Sequence, residues 1–152
     1  MDTILLLFNR YVMLRENDVV DHLIKSLEVD GYIIKQALYD KQRGIDVIAE
    51  KQGSVLYIEV KGATSGDQKS RRYGKPFHSG QVFDMLSKVI FKALDNTNIS
   101  DYNIKKDRTC IALPRADLFQ KYHTKVSRYL IKLGIVTFWV SENGSVTIEG
   151  NL

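Results

Sequence analysis

Two short stretches of this sequence combine residue types that could do chemistry: Gly44-Ile45-Asp46-Val47-Ile48 and Tyr57-Ile58-Glu59-Val60-Lys61-Gly62. Side chains on a strand alternate between faces, so Glu59 and Lys61 share one side while Ile58 and Val60 take the other. Gln52-Gly53-Ser54 reads as a turn between two apolar runs, which makes the stretches a hairpin. Antiparallel pairing then brings Asp46 level with Glu59, near the end remote from the turn. Two carboxylates held close repel each other, and the arrangement becomes favourable when a hard divalent cation lies between them. Mg²⁺ is the expected ion, with Mn²⁺ as a substitute. Asp46, Glu59 and the carbonyl oxygen of Val60 would hold it, leaving its other positions to water and a phosphate oxygen. Lys61 could orient or help deprotonate an attacking water and offset charge on the phosphate. These are the parts needed to hydrolyse a phosphodiester. The plainer alternative is a Glu-x-Lys pair on a solvated sheet face; the apolar flanks, the linking turn and the basic stretch that follows favour the chemical reading.

The elements that must position these groups follow from periodicity. Val19, Val20, Leu23, Ile24 and Leu27 recur at helical spacing from Asn17, with Asn17 or Asp18 able to cap and Gly31 able to terminate. Strands are expected over Tyr32 to Tyr39, Ile45 to Ala49 and Val55 to Val60. Val82, Met85, Leu86, Val89, Ile90 and Ala93 define an amphipathic helix beginning after Ser79. Thr109 to Leu113 is a strand closed by Pro114. A last helix runs through Leu118, Phe119, Tyr122, Val126, Leu130 and Leu133 to Gly134, and strands over Ile135 to Val140 and Val146 to Glu149 are joined through Asn143-Gly144. The order α-β-β-β-α-β-α-β-β predicts an α/β fold, a mixed β-sheet flanked by helices, as one domain over 1–152. Residues 1–15 form an apolar segment that packs on the core or serves an interface.

With that element order, Asp46, Glu59 and Lys61 resemble the PD-(D/E)XK nuclease superfamily, the restriction-endonuclease-like fold, over Asn17 to Leu113. The resemblance makes Asp46 the first motif acid, Glu59 the second and Lys61 the motif lysine, and it implies Mg²⁺-dependent cleavage of nucleic acid, DNA first, in restriction and defence or in recombination and repair. The residue before Asp46 is Ile45 where the motif has proline. Many members carry an acid in the first helix, a place Glu16 can fill; a helix N-terminal acid complementing the dipole is the alternative. Some carry a glutamine in the helix after the lysine strand, which is Gln81 here, although the tyrosine that often accompanies it four residues later is Met85. Helix capping or a surface amide is the alternative for Gln81. The rival functions are a catalytically inactive nucleic-acid-binding module on the same fold and an interaction protein whose acids and lysine make ordinary surface pairs.

Gly62 to Gly80 has no sustained apolar period and is expected as an exposed loop. Its Lys69, Arg71, Arg72 and Lys75, interleaved with Tyr73, could track a nucleic-acid backbone and stack on a base, or simply be solvated. Lys121, Lys125, Arg128 and Lys132 line the polar face of the last helix. A net charge of +4 suits a polyanionic partner without requiring one. His78 and His123 are too far from each other and from the acids in sequence to suggest zinc. The single cysteine, Cys110, sits in an apolar run and is expected as a buried thiol in a reducing, cytoplasmic compartment. The run Ile4 to Phe8 is too short for a signal peptide or a membrane span and has no basic flank before it, so no membrane association is expected. It could instead serve a homodimer, which would let both strands of a duplex be cut.

Overall fold

The computed structural model describes residues 13–152, so the Ile4–Phe8 run and any interface role for it lie outside the described residues. Elements follow in the expected order: α1 (Glu16–Val29), β1 (Ile33–Ala37), β2 (Val47–Lys51), β3 (Ser54–Val60), α2 (Ser79–Asp95), β4 (Arg108–Pro114), α3 (Asp117–Lys132), β5 (Val136–Val140) and β6 (Val146–Glu149). A 3-10 turn over Asn96–Asn98, which periodicity did not suggest, extends α2. The strands form one six-stranded sheet in the order β1-β2-β3-β4-β5-β6. Strands β3, β4 and β5 run parallel at its centre, and β1, β2 and β6 pair antiparallel outside them. Among the described residues, no helix is long and apolar enough to cross a membrane.

Alternation along the central strands builds two cores. On one face Leu56, Ile58, Val60, Ala112 and Phe138 meet Val19, Val20, Leu23 and Leu27 of α1. On the other, Ile111, Leu113, Ile135 and Trp139 meet α2 and α3 through Val82, Leu86, Val89, Phe119 and Leu130. Each such side chain taken out of water contributes about 1.5–3 kcal/mol, so the sheet is a stiff frame for what projects from its ends. Cys110 is fully buried in the first core, and burial pushes its thiol far above the usual range.

Three local expectations need correction. The first strand spans only Ile33–Ala37; within it the register with β2 slips between Ile34 and Gln36, and the Gln36 amide donates to the Ile45 carbonyl at 2.7 Å. The second strand starts at Val47 and leaves Asp46 just outside the ladder, at a bend that follows Gly44 with its φ of 134°. Helix α1 is capped neither by Asn17 nor by Asp18 acting as N-cap. The N-cap is Arg15, whose backbone N–H donates to Asp18 Oδ2 at 2.8 Å while its guanidinium grips the same carboxylate. The β2–β3 turn is a tight hairpin, since Gln52 and Gly53 both take positive φ (52° and 79°), the geometry that matches strand twist.

Candidate active site at the carboxyl end of β3

Register decides where the acids stand. Val47 pairs with Ile58, so Asp46, one residue before β2, falls beside Glu59. Its Oδ2 accepts the Val60 N–H at 2.8 Å, and its carboxyl lies within hydrogen-bonding reach of Glu59's. Glu59 is 3% exposed. Its Oε1 accepts from the Asn96 amide at 3.0 Å, while its Oε2 faces the Lys92 ammonium at 3.8 Å. Each carboxylate thus receives one hydrogen bond through one of its oxygens, and the second oxygen of Glu59 has only the looser Lys92 contact. The Lys61 N–H donates to Ala112 on β4 at 3.0 Å. Across that trans peptide the Val60 carbonyl therefore turns the opposite way, to the side where the Val60 N–H meets Asp46.

Lys61 follows the end of β3, and its Nζ reaches Glu16 Oε2 on the first turn of α1 at 3.7 Å. Gly62 permits this meeting. A Cβ there would strike the Glu16 backbone nitrogen and come within 2.7 Å of the Arg15 carbonyl carbon, so only glycine lets the start of α1 lie against the strand end. The Ala63 N–H donating to Leu14 at 2.7 Å locks the contact. A cleft of about 520 Å³, bounded by Arg15, Glu16, Asn17, Asp40, Lys41 and Gly66, opens beside Glu16.

The charges are not fully balanced. Burial pushes the Glu59 carboxyl above its usual range; the Asn96 hydrogen bond pulls it back, the Asp46 charge pushes it further up, and Lys92 pulls it down. Glu16 is pushed up as well, first by burial, with Lys61 opposing, the Asp46 charge adding and Lys92 opposing. Three carboxylates therefore share two ammonium groups. Among the described residues no three His, Cys, Asp or Glu side chains form a cage able to hold a metal ion by themselves. The donor set is two carboxylates and a carbonyl, all hard oxygens. That suits Mg²⁺, which keeps several waters and shares its positions with substrate phosphates instead of filling them with protein.

Gln81 is not brought to this group. It occupies the third position of α2, where its Oε1 accepts the His78 N–H at 2.9 Å in a capping box, so the amide closes a helix end. Of the basic stretch, Lys69, Arg71 and Lys75 are exposed and Arg72 is half-buried. The segment is built from successive turns rather than left open: Thr64 Oγ1 donates to the Arg72 carbonyl at 2.8 Å, and Ser65 bridges to Tyr73. Tyr73 lies near the Arg15 guanidinium, which ties the segment to the start of α1. Sequence reasoning missed Lys92, Asn96 and the part played by Gly62. The first two lie one helical turn apart at the end of α2, and that spacing was the one available sign that they share a face. His123 is a packing residue, hydrogen-bonded to Thr137 at 2.9 Å.

The fold is thus an α/β domain with a six-stranded mixed sheet flanked by helices. No protein-family model matches the chain, and no curated protein matches it. Two solved structures are similar along most of its length. One is an XisH family protein from Nostoc punctiforme PCC 73102, with TM-score 0.49 and 17% identity over 90% of this chain and 98% of that one. The other is a FdxN element excision controlling factor protein from Anabaena variabilis, with TM-score 0.46 and 18% identity over 86% and 96%. Likenesses at this level assign no function, which leaves the geometry of the site to carry it.

Proposed function

We propose that this chain is a divalent-metal-dependent nuclease of the PD-(D/E)XK type that hydrolyses phosphodiester bonds of nucleic acid, DNA in the first place. One observation carries the reading: Asp46 and Glu59 stand side by side, each receiving a hydrogen bond through one oxygen, and the lysine two residues on in sequence, Lys61, reaches Glu16 at the start of α1. Asp46, Glu59 and the Val60 carbonyl would hold Mg²⁺, which when bound supplies charge neutralisation for a phosphate oxygen and a lowered pKa for water. The chain's own residues do the rest. Asn96 fixes the Glu59 carboxylate, as outer-shell partners of metal ligands do. Lys61, paired with Glu16, would offer an ammonium to the phosphate and to the attacking water. The exposed Lys69, Arg71 and Lys75 provide a sequence-independent hold on the backbone.

The test is incubation of single-stranded, double-stranded and branched DNA and of RNA with Mg²⁺, Mn²⁺ or chelator. Cleavage is expected with metal and not with chelator. Lys61→Ala should lose on the order of 10² to 10⁴ in rate while retaining metal, and Asp46→Ala should lose both. Cleavage by folded Asp46→Ala at the wild-type rate would overturn the assignment, and binding of nucleic acid without cleavage by any metal would favour the inactive binding module.

A further inference from the structure

Lys92 is the group at the site that no motif accounts for. It sits on α2, outside the Glu59-Val60-Lys61 strand, with its side chain 55% exposed and its Nζ 3.8 Å from Oε2 of Glu59. That oxygen is the one Asn96 leaves free. Its charge also reaches Glu16, which it pulls down against the push of burial. The two partners differ in how they are held. Glu59 is buried and fixed by Asn96, whereas Lys92 is a long, largely solvated chain in a loose ion pair, a contact of small net worth that is readily exchanged.

We propose that Lys92 is a tethered competitor for the cation: its ammonium neutralises Glu59 Oε2 when no metal is bound, and a divalent ion displaces it, freeing the ammonium to take a phosphate of the bound nucleic acid. The idea rests on the cation-binding reading of Asp46 and Glu59. The charge balance favours the exchange. With Lys92 in place the three carboxylates keep one negative charge in excess, which attracts a cation. Once the ion replaces it on Glu59, the same lysine, only a side-chain swing away, adds positive charge where a polyanion must dock. Lys92 thus links occupancy of the metal site to affinity for the substrate.

The experiment is calorimetric titration of Mn²⁺ into wild type, Lys92→Met and Lys88→Met, with Lys92→Gln as a second variant and folding checked by circular dichroism. Lys88 is exposed one turn earlier on α2 and controls for the mere loss of a positive charge. Lys92→Met and Lys92→Gln should bind Mn²⁺ about two- to fivefold more tightly than wild type, and Lys88→Met should bind like wild type. Nucleic-acid affinity of Lys92→Met should fall in Ca²⁺ and stay at the wild-type value in chelator, where the wild-type lysine is engaged with Glu59. Binding by Lys92→Met and not by wild type would mean that the competition is complete, and would support the proposal. Equal or weaker Mn²⁺ binding by both Lys92 variants, with wild type binding normally, would overturn this role and leave the metal site standing. If neither wild type nor any variant binds Mn²⁺, the metal site falls with it.

Discussion

Strand β3 has a buried carboxylate at each end, and the two are treated in opposite ways. Asp107, just before β4, is 3% exposed, as is Glu59. Its Oδ1 accepts the Val55 N–H at 3.0 Å and its Oδ2 the Asn103 N–H at 2.7 Å, so main-chain donors occupy both oxygens. Glu59 receives one hydrogen bond, from a side-chain amide, and has a like-charged neighbour in Asp46. At equal burial, Asp107 is a staple that ties the β4 approach to the start of β3, and Glu59 is held by side chains alone, the Asn96 amide and the Lys92 ammonium. A buried carboxylate held by one side-chain amide and a half-exposed ammonium is the more open of the two to a further partner.

The contrast can be broken by removing each carboxylate in turn. Asp107→Ala leaves two buried N–H groups without acceptors and should cost about 3 kcal/mol in a denaturant titration, with little change in metal binding. Gly62→Ala acts at the opposite end of the strand. Forcing a Cβ into the backbone of Arg15 and Glu16 should cost about 1–3 kcal/mol and move Glu16 off Lys61; an unchanged melting temperature would show that α1 does not need this close approach.

The smallest effect has the opposite sign. The Glu59 carboxyl is raised above its usual range in the folded state, chiefly by burial, so the stability it gives as a protonated group is full at low pH and is lost as pH rises through the folded value. Glu59→Gln stays neutral throughout. It should therefore be more stable than wild type at neutral pH, by about 1 kcal/mol, and the gain should shrink as pH falls toward the ordinary carboxylate range. Denaturant titrations at several pH values would check this, and a variant less stable than wild type at neutral pH would place Glu59 with Asp107 as a structural residue.

Much of this is legible in the sequence, for local reasons. Strand alternation put Ile58 and Val60 in the core under α1 and Glu59 on the opposite face, the hairpin turn set Asp46 opposite Glu59, and helical periodicity gave α1, α2 and α3 their buried stripes. What was not readable depended on distant parts of the chain meeting. Nothing in the spacing of Lys92 and Asn96 says that the end of α2 lies over β3. Gly62 looks like the first residue of a loop until the start of α1 is laid against it. Arg15 is no ordinary cap residue, and it serves because Asp18 can bind its backbone and its guanidinium together. Gln81 matched a pattern that a capping box explains once His78 is seen before it.

The most direct test of the central claim is calorimetric titration of Mn²⁺ into wild type and Glu59→Gln at neutral pH. Saturable binding by wild type, strongly weakened in a folded and more stable Glu59→Gln, is the result expected if the unfinished carboxylate pair is a cation site. No binding by wild type, or equal binding by both proteins, would contradict it.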